Sequence, residues 1–207
     1  MAIADKPIDF TLMYSTHDAF RRDISKLGQA VDAGRANVPR VLAGWHAFQQ
    51  QLSIHHLAED TALWPRVPTA AAVRPDALKL LEEMEAEHAK LDPLLESVGR
   101  LIRNGSPTLR AEVDRLESVL DFHLKHEETA ALPLIQQVLS QADWRRFAAN
   151  IRKRQGLSGA AFYVPWAIDG VSHDERRRFF GAMPPPVAVL NKLWEPRYKR
   201  LHLWATD

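Results

Sequence analysis

The chain has 207 residues, 46% hydrophobic and 26% charged, with a formal net charge of +1 and no cysteine. That composition belongs to a globular protein with a full core and excludes a disordered chain, a collagen and a disulfide scaffold. Without cysteine there is no thiolate nucleophile, iron–sulfur cluster or Cys-based zinc site, so any metal must be held by histidines and carboxylates.

The first ten residues, MAIADKPIDF, lack a basic region followed by an apolar run, so no signal peptide is expected. From Phe10 the apolar positions step by three and four: Phe10, Met13, His17, Phe20, Ile24, Leu27, Val31. This spacing predicts an amphipathic helix. Gly34 to Pro39 breaks it, and a second seam follows: Val41, Trp45, Phe48, Leu52, His55, Glu59. A breaker is expected from Pro65 to Pro75, and then a third helix over Leu81, Met84, His88, Leu91, Leu95, Val98 and Ile102, bent at Pro93. Asn104-Gly105-Ser106-Pro107 precedes a fourth over Leu109, Val113, Leu116, Leu120, His123 and Glu127. Pro39 and Pro107 are expected in the first turns of their helices. Four amphipathic helices with short connections imply an all-α fold, an antiparallel up-down-up-down four-helix bundle.

Beyond residue 144 the character changes. Residues 1–144 carry a net −6 and residues 145–207 a net +7, with nine aromatics in the latter. We expect a bundle over 1–144 and a basic, aromatic C-terminal extension of short helices and extended segments. It should pack on the bundle or on a partner copy, the latter giving a homodimer. The least polar stretch, Leu157 to Val171, is broken by Pro165 and Asp169 and falls short of the ~20 residues of a membrane span. The expectation is a soluble, cytoplasmic protein with no membrane span, and the net charge gives no electrostatic case for nucleic acid.

Each apolar seam is interrupted by a histidine, and in helices two and four a glutamate follows four residues later on the same face. Six ionisable groups in an apolar seam are costly to bury unless they pair or bind metal. At ~1.5 Å per residue, His17 and His55 both lie roughly 21–26 Å from the first hairpin loop. His88 and His123 are likewise level in the second hairpin. The halves also repeat: HHLAEDTALWP at 55–65 matches HLKHEETAALP at 123–133, and His17 matches His88. The candidate metal ligands are therefore His17, His55, Glu59, His88, His123 and Glu127, arranged about a pseudo-twofold axis suited to two metals. Imidazoles and carboxylates suit iron, manganese or zinc. Two octahedral ions with a shared oxo or hydroxo bridge and two bridging carboxylates would keep open positions, so the site should be reactive. His56, Asp60, His126 and Glu128 fall one position off the ligand stripe and are read as outer partners or solvated residues. Tyr14, one turn before His17, is read chiefly as packing.

His17, the HHLAED run at 55–60, His88 and the HLKHEE run at 123–128 resemble the hemerythrin-like HHE cation-binding domain family. The resemblance spans residue 10 to about 139. It implies a four-helix bundle with a non-haem di-iron centre, two iron ions oxo- or hydroxo-bridged, and a small ligand: dioxygen, hydrogen peroxide or nitric oxide. The oxygen carriers of that family use five histidines, with HxxxH on the third helix; here Asp92 stands four residues after His88. This departure favours a di-iron peroxidase, a catalase-like or a nitric-oxide-handling oxidoreductase over simple oxygen carriage. The alternatives are a non-catalytic oxygen or iron binding or sensing protein, and a bundle with structural zinc. For the carboxylate of helix four, Glu127 is preferred to Glu128 because it lies on the seam and matches Glu59.

Overall fold

The computed structural model describes residues 6–70 and 75–207. Among them the chain is all helical: α1 (Thr11–Asp32), α2 (Pro39–Ala58), α3 (Val67–Ala70), α4 (Pro75–Asn104), α5 (Leu109–His126), α6 (Leu132–Val138), α7 (Gln141–Ala167), α8 (His173–Ala182) and α9 (Pro185–Lys199). Helix α1 packs on α2 and α5, and α5 packs on α4.

The first and third predicted helices end alike. Gly34 and Gly105 adopt φ of 65° and 60°, the left-handed conformation that glycine takes without strain. Gly34 N donates to Val31 O and Arg35 N to Ala30 O; Gly105 N donates to Ile102 O and Ser106 N to Leu101 O. These paired bonds satisfy the last carbonyls of α1 and α4 and turn the chain back. Pro39 and Pro75 each open a helix, where a missing N–H costs nothing. Pro107 lies two residues before α5, in the turn, rather than in its first turn as expected. Helix α4 runs on through Pro93.

The break expected from Pro65 is largely helical. Past α2 the chain widens into a five-residue π turn, Glu59–Leu63, tightens over Trp64–Arg66 and enters α3. Residues 71–74 of that expected breaker lie outside the described residues. The same widening recurs after α5 at Glu127–Ala131. Trp64 N reaches back five residues to Glu59 O, and Leu132 N to Glu127 O. The sequence supplies the cause in both copies. Pro65 and Pro133 come next, and a proline ring collides with the carbonyl four residues back, which a wider turn relieves. Thr61 and Thr129 stabilise the widening: their hydroxyls donate to Leu57 O at 2.5 Å and Lys125 O at 2.7 Å.

The extension differs from the expected short pieces. Helix α7 has 27 residues, bent at Gly156, where φ is 62°. Ser140 and Ser172 cap α7 and α8 through reciprocal bonds with Asp143 and Glu175. The extension is integral to the core. Trp166, Phe179, Tyr198 and Trp204 share an apolar cluster with Phe20, Phe48 and Leu120. Trp166 Nε1 donates to Asp23 Oδ2 at 2.9 Å, Arg22 Nε and Nη2 bond the other oxygen of Asp23, and Arg22 Nη1 reaches Trp166 O at 2.8 Å. Asp23 is thus a fully buried carboxylate with every oxygen satisfied, as burial of charge requires. Gly44 of α2 lies under the Trp204 ring, so close that a Cβ there would stand 2.5 Å from it.

The core falls into two apolar clusters. One holds Phe20, Leu52, Leu91, Leu120 and Leu124 with Trp166, Phe179, Tyr198 and Trp204 of the extension; the other holds Met13, Ala58, Leu63, Met84, Ala131, Leu132 and, from the extension, Phe147. On each of α1, α2, α4 and α5, one candidate ligand stands between them: His17, His55, His88 and His123.

Candidate metal centre

The six predicted residues converge. His17, His55, Glu59 and Glu127 place donor atoms within 4.8 Å of one another, and all four are buried. A second group of three lies beside them: His56, His88 and His123. His55 Nε2 is 3.1 Å from Glu59 Oε1, and His88 Nε2 is 3.6 Å from Glu59 Oε2. The two oxygens of Glu59 thus face different histidine groups. His17 Nε2 lies 3.2 Å from both Glu127 Oε2 and His55 Nε2.

The outer nitrogens are held by carboxylates. His17 Nδ1 donates to Glu128 at 2.8 Å, His88 Nδ1 to Asp60 at 2.9 Å, and His123 Nδ1 to Glu87 at 3.1 Å. Such bonds fix the tautomer and turn each Nε2 lone pair inward. Glu87 also accepts from His126 Nδ1, and Arg21 grips Glu128 with two nitrogens. The pairs His17–Glu128 and His88–Asp60 are related by the internal repeat, in which Asp60 corresponds to Glu128.

Inside this ring the usual rule of satisfied burial fails. His56 Nε2, His88 Nε2, His123 Nε2 and both oxygens of Glu59 and Glu127 are buried without a hydrogen-bond partner. Each such atom costs about 1–3 kcal/mol when left alone. Seven in one place fit a cation layer, whose charge would satisfy them all. Without a cation the charge states around them are mixed. Burial, together with neighbouring histidines, drives the pKa of His55 and His56 well below the ordinary value, and burial lowers that of His123, so these three are neutral, ligand-ready imidazoles. Burial would lower the His17 pKa too, but Glu127 and Glu128 outweigh it and raise it to about 9. Burial would raise the Glu127 pKa; His17, His55 and His123 bring it down to about 2. Glu59, buried and beside Glu127, is pushed well above the carboxylate range.

Two features escaped the sequence reading. His56, expected as an outer partner or solvated, is buried in the second group, its ring stacked on His88 with centroids 4.0 Å apart. The repeat held the signal: the residue matching His56 is Leu124, fully buried, so that helix position faces inward. Tyr14, read chiefly as packing, is 43% exposed. The second unforeseen feature is Tyr163 of α7, whose OH lies 2.8 Å from Oγ1 of Thr16, the residue before His17. Thr16 spends its single proton on Leu12 O, so Tyr163 is the donor. Asp92 is exposed and takes no part. The other two off-stripe carboxylates, Asp60 and Glu128, are the Nδ1 acceptors described above.

No curated protein and no solved structure matches the chain. The family model described as hemerythrin HHE cation binding domain matches residues 9–135. That span begins just before α1, ends within α6 and takes in every residue of both donor groups. The chain therefore belongs to the hemerythrin HHE cation-binding domain family.

Proposed function

We propose that His17, His55, Glu59, His88, His123 and Glu127, joined by His56, hold two iron ions in a protein that binds and reacts with small oxidants. The supporting observation is the set of seven buried donor atoms at the centre that have no hydrogen-bond partner. In this reading residues 1–144 form an antiparallel up-down-up-down bundle around the ions, and residues 145–207 cover one side of it. Iron held there would supply redox change and open positions for dioxygen, hydrogen peroxide or nitric oxide. Glu128, Asp60 and Glu87 orient the imidazoles, and the two apolar clusters keep water away on either side. The two groups differ in kind: three imidazoles gather on the His88 side, and two imidazoles with Glu59 and Glu127 on the His17 side.

His56 supports a second reading. It restores a count of five imidazoles, which weakens the argument against reversible dioxygen binding. Elemental analysis and an optical spectrum of aerobically purified protein test the centre: about two irons per chain are expected, and zinc without colour would refute it. Steady peroxide consumption, lost on His55→Ala, would then favour the first reading. A reversible dioxygen adduct without turnover would favour the second.

A further inference from the structure

A cavity of about 670 Å³ lies between the bundle and the extension, and His55 is part of its wall. Its size is that of a site for an organic molecule rather than a diatomic gas. The lining orders itself by burial. Met13, His55, Phe147 and Val164 are buried and form the floor; Arg145, Arg152, Lys153 and Leu157 are exposed and form the mouth. Between them the walls are apolar, with Trp144, Ile151, Ala160, Val187 and Trp194 among them. Arg145, Arg152 and Lys153 have no ion-pair partner among the described residues, and a single carboxylate, Asp9, faces the cavity with them. The mouth is thus net positive above an apolar shaft.

We propose that this cavity binds an amphipathic carboxylate of medium chain length. Its carboxylate is held by the cations of the mouth, and its alkyl chain runs down toward His55. The charge of the rim selects the head group, and the apolar walls select the chain, whose burial is worth about 0.8 kcal/mol per methylene. The extension is then the substrate-binding element of the protein: α7 supplies most of the wall with Val187 and Trp194 of α9, and Met13 and His55 of the bundle join Phe147 and Val164 of α7 in the floor. The inference rests on the two-metal reading only for the reason the chain is directed at His55; the cavity itself does not depend on it.

The test uses the full-length, metal-loaded chain and dodecanoate as probe, with Trp144 and Trp194 in the wall as fluorescent reporters and calorimetry as a second measure. Dodecanoate is expected to saturate one site, and butyrate not to bind. The exposed pair Arg145→Glu/Arg152→Glu, at the mouth and outside the packed core, should weaken dodecanoate at least tenfold while leaving dodecanol unchanged. Ala160→Trp, which fills the shaft, should abolish both. No saturable binding of dodecanoate to the parent chain would overturn the proposal, and so would equal affinity for dodecyltrimethylammonium. Metal content measured on the same preparations separates the two claims. Bound metal without dodecanoate binding defeats this inference alone, and dodecanoate binding without metal defeats the two-metal reading alone.

Discussion

Glu128 accepts the Nδ1 proton of His17 at 2.8 Å. Arg21 clamps the same carboxylate from outside, at 2.8 and 3.1 Å, so the imidazole is aimed by a chain of charge-assisted bonds reaching the surface. Burial would raise the Glu128 pKa, but His17 and Arg21 hold it below the ordinary value, so it stays an acceptor. Its repeat mate Asp60 does the same for His88, with a more exposed side chain, 41% against 18%.

Glu128→Ala should weaken metal binding about 10- to 100-fold, the usual effect of removing such a partner. Asp60→Ala should cost less, because water can replace its more exposed carboxylate. Competition against a chelator of known affinity measures both. Equal and negligible losses would show that the histidines need no outer support.

Replacing His56 by leucine copies what the repeat already has at Leu124, so the fold should persist. Metal content should fall by about one ion per chain, since the His88 group would keep only two of its three donors. Elemental analysis with circular dichroism reads both. Unchanged content would return His56 to a packing role. His173→Ala, far out on an exposed side chain, should change nothing.

Metal loading should release protons. Without metal His17 is protonated below about 9, and Glu59, pushed above the carboxylate range, also holds its proton more tightly than usual. Coordination needs the unprotonated form of each. Binding therefore expels protons, and affinity should climb as pH rises toward about 9. Calorimetric titration of the chelator-stripped chain in buffers of different ionisation enthalpy counts the protons. A count of zero at neutral pH would contradict this assignment of charge.

Asp23→Ala should cost about 2–4 kcal/mol of stability, because it strands the indole N–H of Trp166 and leaves Arg22 without its carboxylate partner. Gly44→Ala should also destabilise, as its Cβ would meet the rigid Trp204 ring at 2.5 Å; overpacking of this kind costs about 1–3 kcal/mol. Denaturant unfolding of the metal-loaded chain measures each. A chain ending at Gln141 should aggregate, since it would uncover Phe20, Phe48 and their neighbours. A soluble truncated monomer would show that the extension is separable.

The seams of α1, α2, α4 and α5 were legible because a helix in a bundle repeats its inward positions every three or four residues. His17, His55, His88 and His123 interrupt those seams at one level. His56 was hidden because a bundle interior spans more than a single stripe: a helix touching two neighbours buries adjacent positions as well. The π turns were marked by Pro65 and Pro133, which read as ordinary helix ends, since no local rule says that a helix will widen rather than stop. Tyr163 and the cavity were out of reach. They depend on contacts between residues more than a hundred positions apart, and the extension has no repeat to reveal its register.

The site divides the core, and that division has a consequence for how the molecule opens. Above the ligands lies one apolar cluster, below them another, and the layer between consists of groups that repel water-free surroundings and, in part, one another. With cations in place the layer joins the halves into a single cooperative unit. Without them the layer keeps its unpaired buried groups, so we expect the segment from Glu59 to α3, together with α6, to part from the rest at a lower free energy than global unfolding. Amide exchange would then divide along that plane: slow and uniform when the centre is filled, fast below His55 and His123 when it is not, and still slow around Phe20 and Trp166. On that expectation the candidate ligands set the size of the smallest part of this protein that can unfold alone.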